Sequence, residues 1–101
     1  MLKKFTTYQL ALRFYKQGQT LRLPLHLKNQ FDRASSSICM NIAEGSGKNT
    51  AADQRRFYAI ALGSLRECQC VLELTSTKQF DSLTNQIGAC LYRLCHPKTS
   101  P

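Results

Sequence analysis

The sequence predicts an all-α protein, an antiparallel up-down four-helix bundle in which residues 1–101 form a single domain. Three observations lead there: apolar residues recur at three- and four-residue spacing in four separate stretches, no stretch alternates as a strand would, and the breaks between stretches are short. Short connections make consecutive helices antiparallel neighbours. At 101 residues the chain can bury a core without metal or disulfide staples. Its 43% apolar and 20% charged residues place it among globular rather than disordered chains.

The first helix is expected at about 5–22. There Tyr8, Leu10, Ala11, Leu12, Phe14, Tyr15 and Leu21 share one broad side, opposite Thr6, Gln9, Arg13, Lys16, Gln17 and Thr20. Leu23-Pro24 ends it, because proline disfavours helical geometry in the residue before it and is itself suited to open the next helix. The second helix, about 25–45, carries Leu27, Phe31, Ala34, Ile38 and Ile42 as its core stripe. Gly45 and Gly47 supply a stop, Asn49 or Thr50 a new N-cap, and Thr50 with Asp53 resembles a capping box with Asp in place of Glu.

The third helix, about 51–75, contains the uncharged run FYAIALGSL. Phe57, Ala61, Ser64, Cys68 and Val71 form one stripe, and Tyr58, Leu62, Leu65 and Leu72 a second beside it. One core accounts for only one stripe, so this helix is expected to be central in its own domain or shared with another subunit. The fourth helix, about 79–95, uses Phe80, Leu83, Ile87, Cys90, Leu91 and Leu94.

If the second and third helices turn back on each other around residues 45–50, positions whose numbers sum to about 100 lie at similar heights. That pairs Ser36 with Ser64, Ser37 with Gly63, Arg33 with Glu67 and Glu44 with Arg56. Small residues then face small residues, permitting close approach, while opposite charges bracket the contact. A partly buried Arg33–Glu67 pair would orient the helices, and losing one member alone would be costly. Asn41 is expected to hydrogen-bond across this hairpin or cap a neighbouring backbone group, the plain alternative being a solvated helix residue.

Fourteen Lys and Arg against six Asp and Glu give a net charge of +8. No acidic residue precedes Asp32, so Lys3, Lys4, Arg13, Lys16, Arg22 and Lys28 stand unopposed in sequence. Such an excess favours polyanionic partners, nucleic acid above all. The five cysteines, Cys39, Cys68, Cys70, Cys90 and Cys95, read as free and mostly buried. A zinc site built from Cys90, Cys95 and His96 with Cys68 or Cys70 is the sharper alternative. Against it, Cys68 and Cys70 point to different sides of a helix and no CxxC knuckle exists. His26 and His96 have no nucleophile beside them, and the acids are scattered, so catalysis is not expected and no cofactor is called for. The GSGK at 45–48 lacks the strand and spacing of a phosphate loop and reads as a turn. With no long apolar run and no signal-peptide core, no membrane association and a cytoplasmic location are expected.

The run RASSSICMNIAEGSGK followed by RRFYAIALGSLRE resembles the bacterial four-helix bundle family associated with intervening sequences in 23S ribosomal RNA genes. The family hallmark is an arginine, then SI, then NIAEG, then GS-x-x-E on the next helix. Here Arg33, Ser37, Ile38, Asn41, Ile42, Ala43, Glu44, Gly45, Gly63, Ser64 and Glu67 stand at those places, with Pro24, Leu27 and Gln30 fitting upstream. Cys39 departs from a common proline, Lys48 from a common arginine, and the linker near Pro24 is short. The resemblance implies a compact bundle assembled into a closed ring, typically a homopentamer, without enzymatic activity. More distantly related bundles serve reverse transcriptases as accessory subunits. The reading that follows is a non-catalytic homo-oligomer that binds nucleic acid, RNA rather than DNA, with Arg13, Lys16, Arg22, Lys28, Lys48, Arg55 and Arg56 as contacts. The alternative is a scaffold or accessory subunit for another protein such as a reverse transcriptase.

Overall fold

The computed structural model describes residues 5–97; Lys3 and Lys4 lie outside them. Four helices make up the described chain: α1 (Thr6–Gly18), α2 (Leu25–Ser46), α3 (Ala51–Leu74) and α4 (Asp81–Cys95), with no strand among the described residues. The molecule measures 47 × 23 × 21 Å.

The expected helices all form, with differences at the ends. α1 stops at Gly18 rather than near residue 22, and Leu21 N–H closes the turn onto the Gly18 carbonyl at 3.1 Å. Gly18 is buried against Phe31, where a Cβ would lie 2.8 Å from a ring carbon. Close packing has placed a poor helix former there and the helix ends on it. Pro24 caps α2 from outside, its carbonyl accepting the Leu27 and Lys28 N–H groups at 3.0 and 2.9 Å. Thr50 caps α3 as expected, its hydroxyl accepting the Asp53 N–H at 3.1 Å.

α3 ends in a Schellman motif: Thr77 N–H reaches the Leu72 carbonyl at 2.8 Å and Ser76 N–H the Glu73 carbonyl at 3.1 Å. Ser76 takes the left-handed conformation this motif requires, with φ 55°.

At one end of the molecule Phe14 packs edge-on against Phe31 and Phe80, with centroids 5.6 and 5.4 Å away, and the Cys68 thiol points at the Phe31 carbonyl. At the other end Phe5 meets the Tyr58 ring at 6.3 Å, and Gly45 lies against that same ring. Ile38, Ile42, Leu65, Ile87 and Leu91 fill the space between. Each edge-to-face aromatic pair adds about 0.5–1.5 kcal/mol beyond area burial.

The expectation that one core uses only one stripe of α3 is wrong. Tyr58, Leu65 and Leu72 of one stripe and Ala61, Cys68 and Val71 of the other are all buried within the chain, because α3 packs against both α2 and α4. α3 is central in its own fold. The exposed apolar residues are instead Leu25, Met40, Ile60, Leu74 and Tyr92.

Candidate nucleic-acid interface

The contacts between α2 and α3 descend along one helix as they rise along the other. Arg33 Nη2 lies 3.2 Å from Glu67 Oε2, Ser37 Oγ 2.8 Å from Ser64 Oγ, and Gly45 meets Tyr58 and Phe57. The pairing rule is met at Arg33–Glu67, missed by one residue at Ser37–Ser64 and by two to three residues at Gly45. Ser64 lies opposite Ser37 rather than Ser36. Asn41 donates to the Ser37 carbonyl at 2.9 Å and to its hydroxyl at 3.1 Å, joining the Ser37–Ser64 contact from within its own helix. Gln30 donates to Glu67 at 3.1 Å. These residues form a polar seam along the outer edge of the hairpin.

Three expectations for the seam fail. Gly63 does not receive α2, since a Cβ there would meet nothing within 4 Å; the close approach happens at Gly45, where a Cβ would lie 2.8 Å from the Tyr58 ring and 3.1 Å from Phe57 Cβ. The Arg33–Glu67 pair forms with its Glu67 end half-buried, but the Arg33 side chain is 71% exposed, so losing Arg33 is cheap rather than costly. Glu44 does not pair with Arg56. It takes Lys48 at 3.1 Å instead, four residues on and just past the end of α2 in the turn.

That choice sorts the basic residues. Lys28 is not unopposed: its Nζ sits 2.7 Å from Asp32. Lys48 is engaged by Glu44. Arg13, Lys16, Arg22, Arg55 and Arg56 are exposed and form no ion pair among the described residues. Arg13 and Lys16 share a shallow groove of about 370 Å³ on α1 with Gln9, Leu12 and Gln17. Arg22 lies beyond it in the α1–α2 loop. Lys48, Arg55 and Arg56 gather at the α2–α3 turn, where Lys48 Nζ and Arg56 Cζ both lie over the Phe57 ring, 5.0 and 4.7 Å from its centre. By position in the fold, the basic candidates fall into an α1 group and a turn group. Arg66 and Arg93, which sequence reasoning passed over, are also exposed without an ion pair. The signal was available, as neither has a carboxylate three or four residues away on its helix.

The cysteines are less buried than expected. Cys39 and Cys68 are buried, Cys70 is exposed, and Cys90 and Cys95 are half-buried. Burial pushes the Cys39 thiol up to about 11 against the lowering effect of a backbone hydrogen bond. The Cys68 thiol is pushed up to about 12, first by burial and then by the charges of Glu67, Cys39 and Asp32. Among the described residues no three His, Cys, Asp or Glu side chains are grouped to hold a metal ion, and no helix is long and apolar enough to cross a membrane.

Four helices and no strand among the described residues, with a polar seam on the central hairpin and unopposed cations on the surface, define a small basic helical-bundle class of protein. Within that class the chain belongs to the 23S rRNA-intervening sequence protein family, whose model matches residues 4–96. No curated protein and no solved structure matched the chain.

Proposed function

We propose that this protein is a non-catalytic, homo-oligomeric, antiparallel up-down helical bundle that binds nucleic acid through its basic surface. The observation that carries the reading is the set Arg13, Lys16, Arg22, Arg55 and Arg56, all exposed and none in an ion pair among the described residues. Unneutralised cations of this kind displace counterions from phosphates. RNA is placed before DNA because the family takes its description from 23S rRNA. Assembly into a closed ring is supported by Met40 and Ile60, which are 69% and 45% exposed. Met40 stands three residues beyond Ser37 and Ile60 four before Ser64, so both flank the hairpin seam and offer apolar surface to a second copy.

The test is fluorescence anisotropy with a labelled single-stranded RNA over a range of salt, with a DNA strand as competitor. The logarithm of the association constant should fall linearly with the logarithm of salt, with a slope of about −0.7 for each phosphate contacted. Binding indifferent to salt would remove the electrostatic mechanism. Light scattering that returns the single-chain mass of 11.5 kDa would remove the assembly. A protein that co-purifies after nuclease treatment would favour the scaffold reading instead.

A further inference from the structure

The α2–α3 turn holds an arrangement whose chemistry goes beyond charge. Phe57 is half-buried with its root against Gly45, where the missing side chain lets the two helices close. The Arg56 guanidinium rests over that ring, 4.7 Å from its centre. Glu44, the nearest acid by hairpin register, is bound to Lys48, and Asp53, one turn before Arg56, makes no ion pair with it. Arg56 is therefore exposed, with no carboxylate claiming its donors and an aromatic ring beneath it. A guanidinium is planar and weakly hydrated, and it stacks on π faces as readily as it pairs with anions. Over the Phe57 ring, which Lys48 Nζ also approaches, an exposed guanidinium supplies the kind of planar cationic group on which an unstacked nucleobase settles. Arg55 beside it is exposed and without an ion pair, and is left to meet a phosphate.

We infer that the Arg56–Phe57 pair is a stacking platform for a base of single-stranded nucleic acid. This rests on the nucleic-acid reading above and deepens it: the turn selects strands whose bases are free, whereas the α1 group contributes charge alone. Base-paired strands keep their π faces inside the duplex and gain nothing from the platform.

Two fluorescein-labelled probes of equal length and charge separate the terms, a short oligouridylate and an abasic ribose-phosphate strand. The wild-type protein should bind the uridylate at least about fivefold more tightly than the abasic strand. Arg56→Lys, an exposed substitution that keeps the charge but not the plane, should remove that preference and leave the salt slope unchanged. If the wild type binds both strands equally, or if Arg56→Lys keeps the preference, the platform is overturned while the electrostatic reading stands. If the wild type binds neither strand, both fall.

Discussion

Glycine does opposite things at two places in this chain. A Cβ at Gly45 would lie 2.8 Å from the Tyr58 ring, whereas one at Gly63 would touch nothing. Gly45→Ala should cost about 1–3 kcal/mol by forcing the helices apart, while Gly63→Ala should add about 0.5–1 kcal/mol through helix propensity; urea denaturation of the two variants reads both signs. The buried thiols make a second residue-scale prediction. Their folded values, about 11 for Cys39 and about 12 for Cys68, lie above the ordinary 9.0. An acid harder to ionise folded than unfolded contributes stability that is complete below the unfolded value and lost as pH rises towards the folded one. The melting temperature should therefore decline from pH 9.0 up to about 12, and less in a Cys39→Ala, Cys68→Ala double variant. Near neutral pH, iodoacetamide followed by mass spectrometry should modify exposed Cys70 before either buried thiol.

Ser76 occupies a left-handed position at the end of α3 that glycine fills without cost. Ser76→Gly should raise stability by up to about 1 kcal/mol, visible as a shift in denaturation midpoint at unchanged slope. Arg33→Ala, on the exposed seam, should change stability by less than about 1 kcal/mol. The helices were legible because each repeats apolar residues at helical spacing over several turns. Their ends were less so, since the stop at Gly18 depends on the Phe31 ring it faces and no local pattern records that contact. The hairpin register was legible from the turn at 45–50, which sets Arg33 near Glu67 and Ser37 near Ser64. Cross-hairpin geometry points Glu44 at Arg56, but Lys48, four residues on in the turn just past α2, takes it. Phe57 reads as a core residue in the sequence, and only the fold shows two cations over its ring.

Across the whole molecule the acids and bases are distributed unequally. Among the described residues three ion pairs absorb Asp32, Glu44 and Glu67, which leaves more unpaired arginines and lysines than unpaired carboxylates there. In the proposed assembly, Met40→Lys and Ile60→Lys should lower the mass seen by light scattering without changing the helical circular dichroism, since neither side chain is in the core. The contact at Gly45 bears on how the chain folds. α2 and α3 share the most extensive contact in the molecule, and a four-residue turn joins them. The extent of that contact and the short loop together make this hairpin the element expected to form first, with α1 and α4 condensing on it. A substitution that blocks Gly45 should then slow folding, while a truncated side chain at Leu91 in α4 should mainly hasten unfolding. Stopped-flow kinetics would show which limb of the chevron moves. The residue that lets two helices touch would thereby also set the order in which the chain acquires its shape.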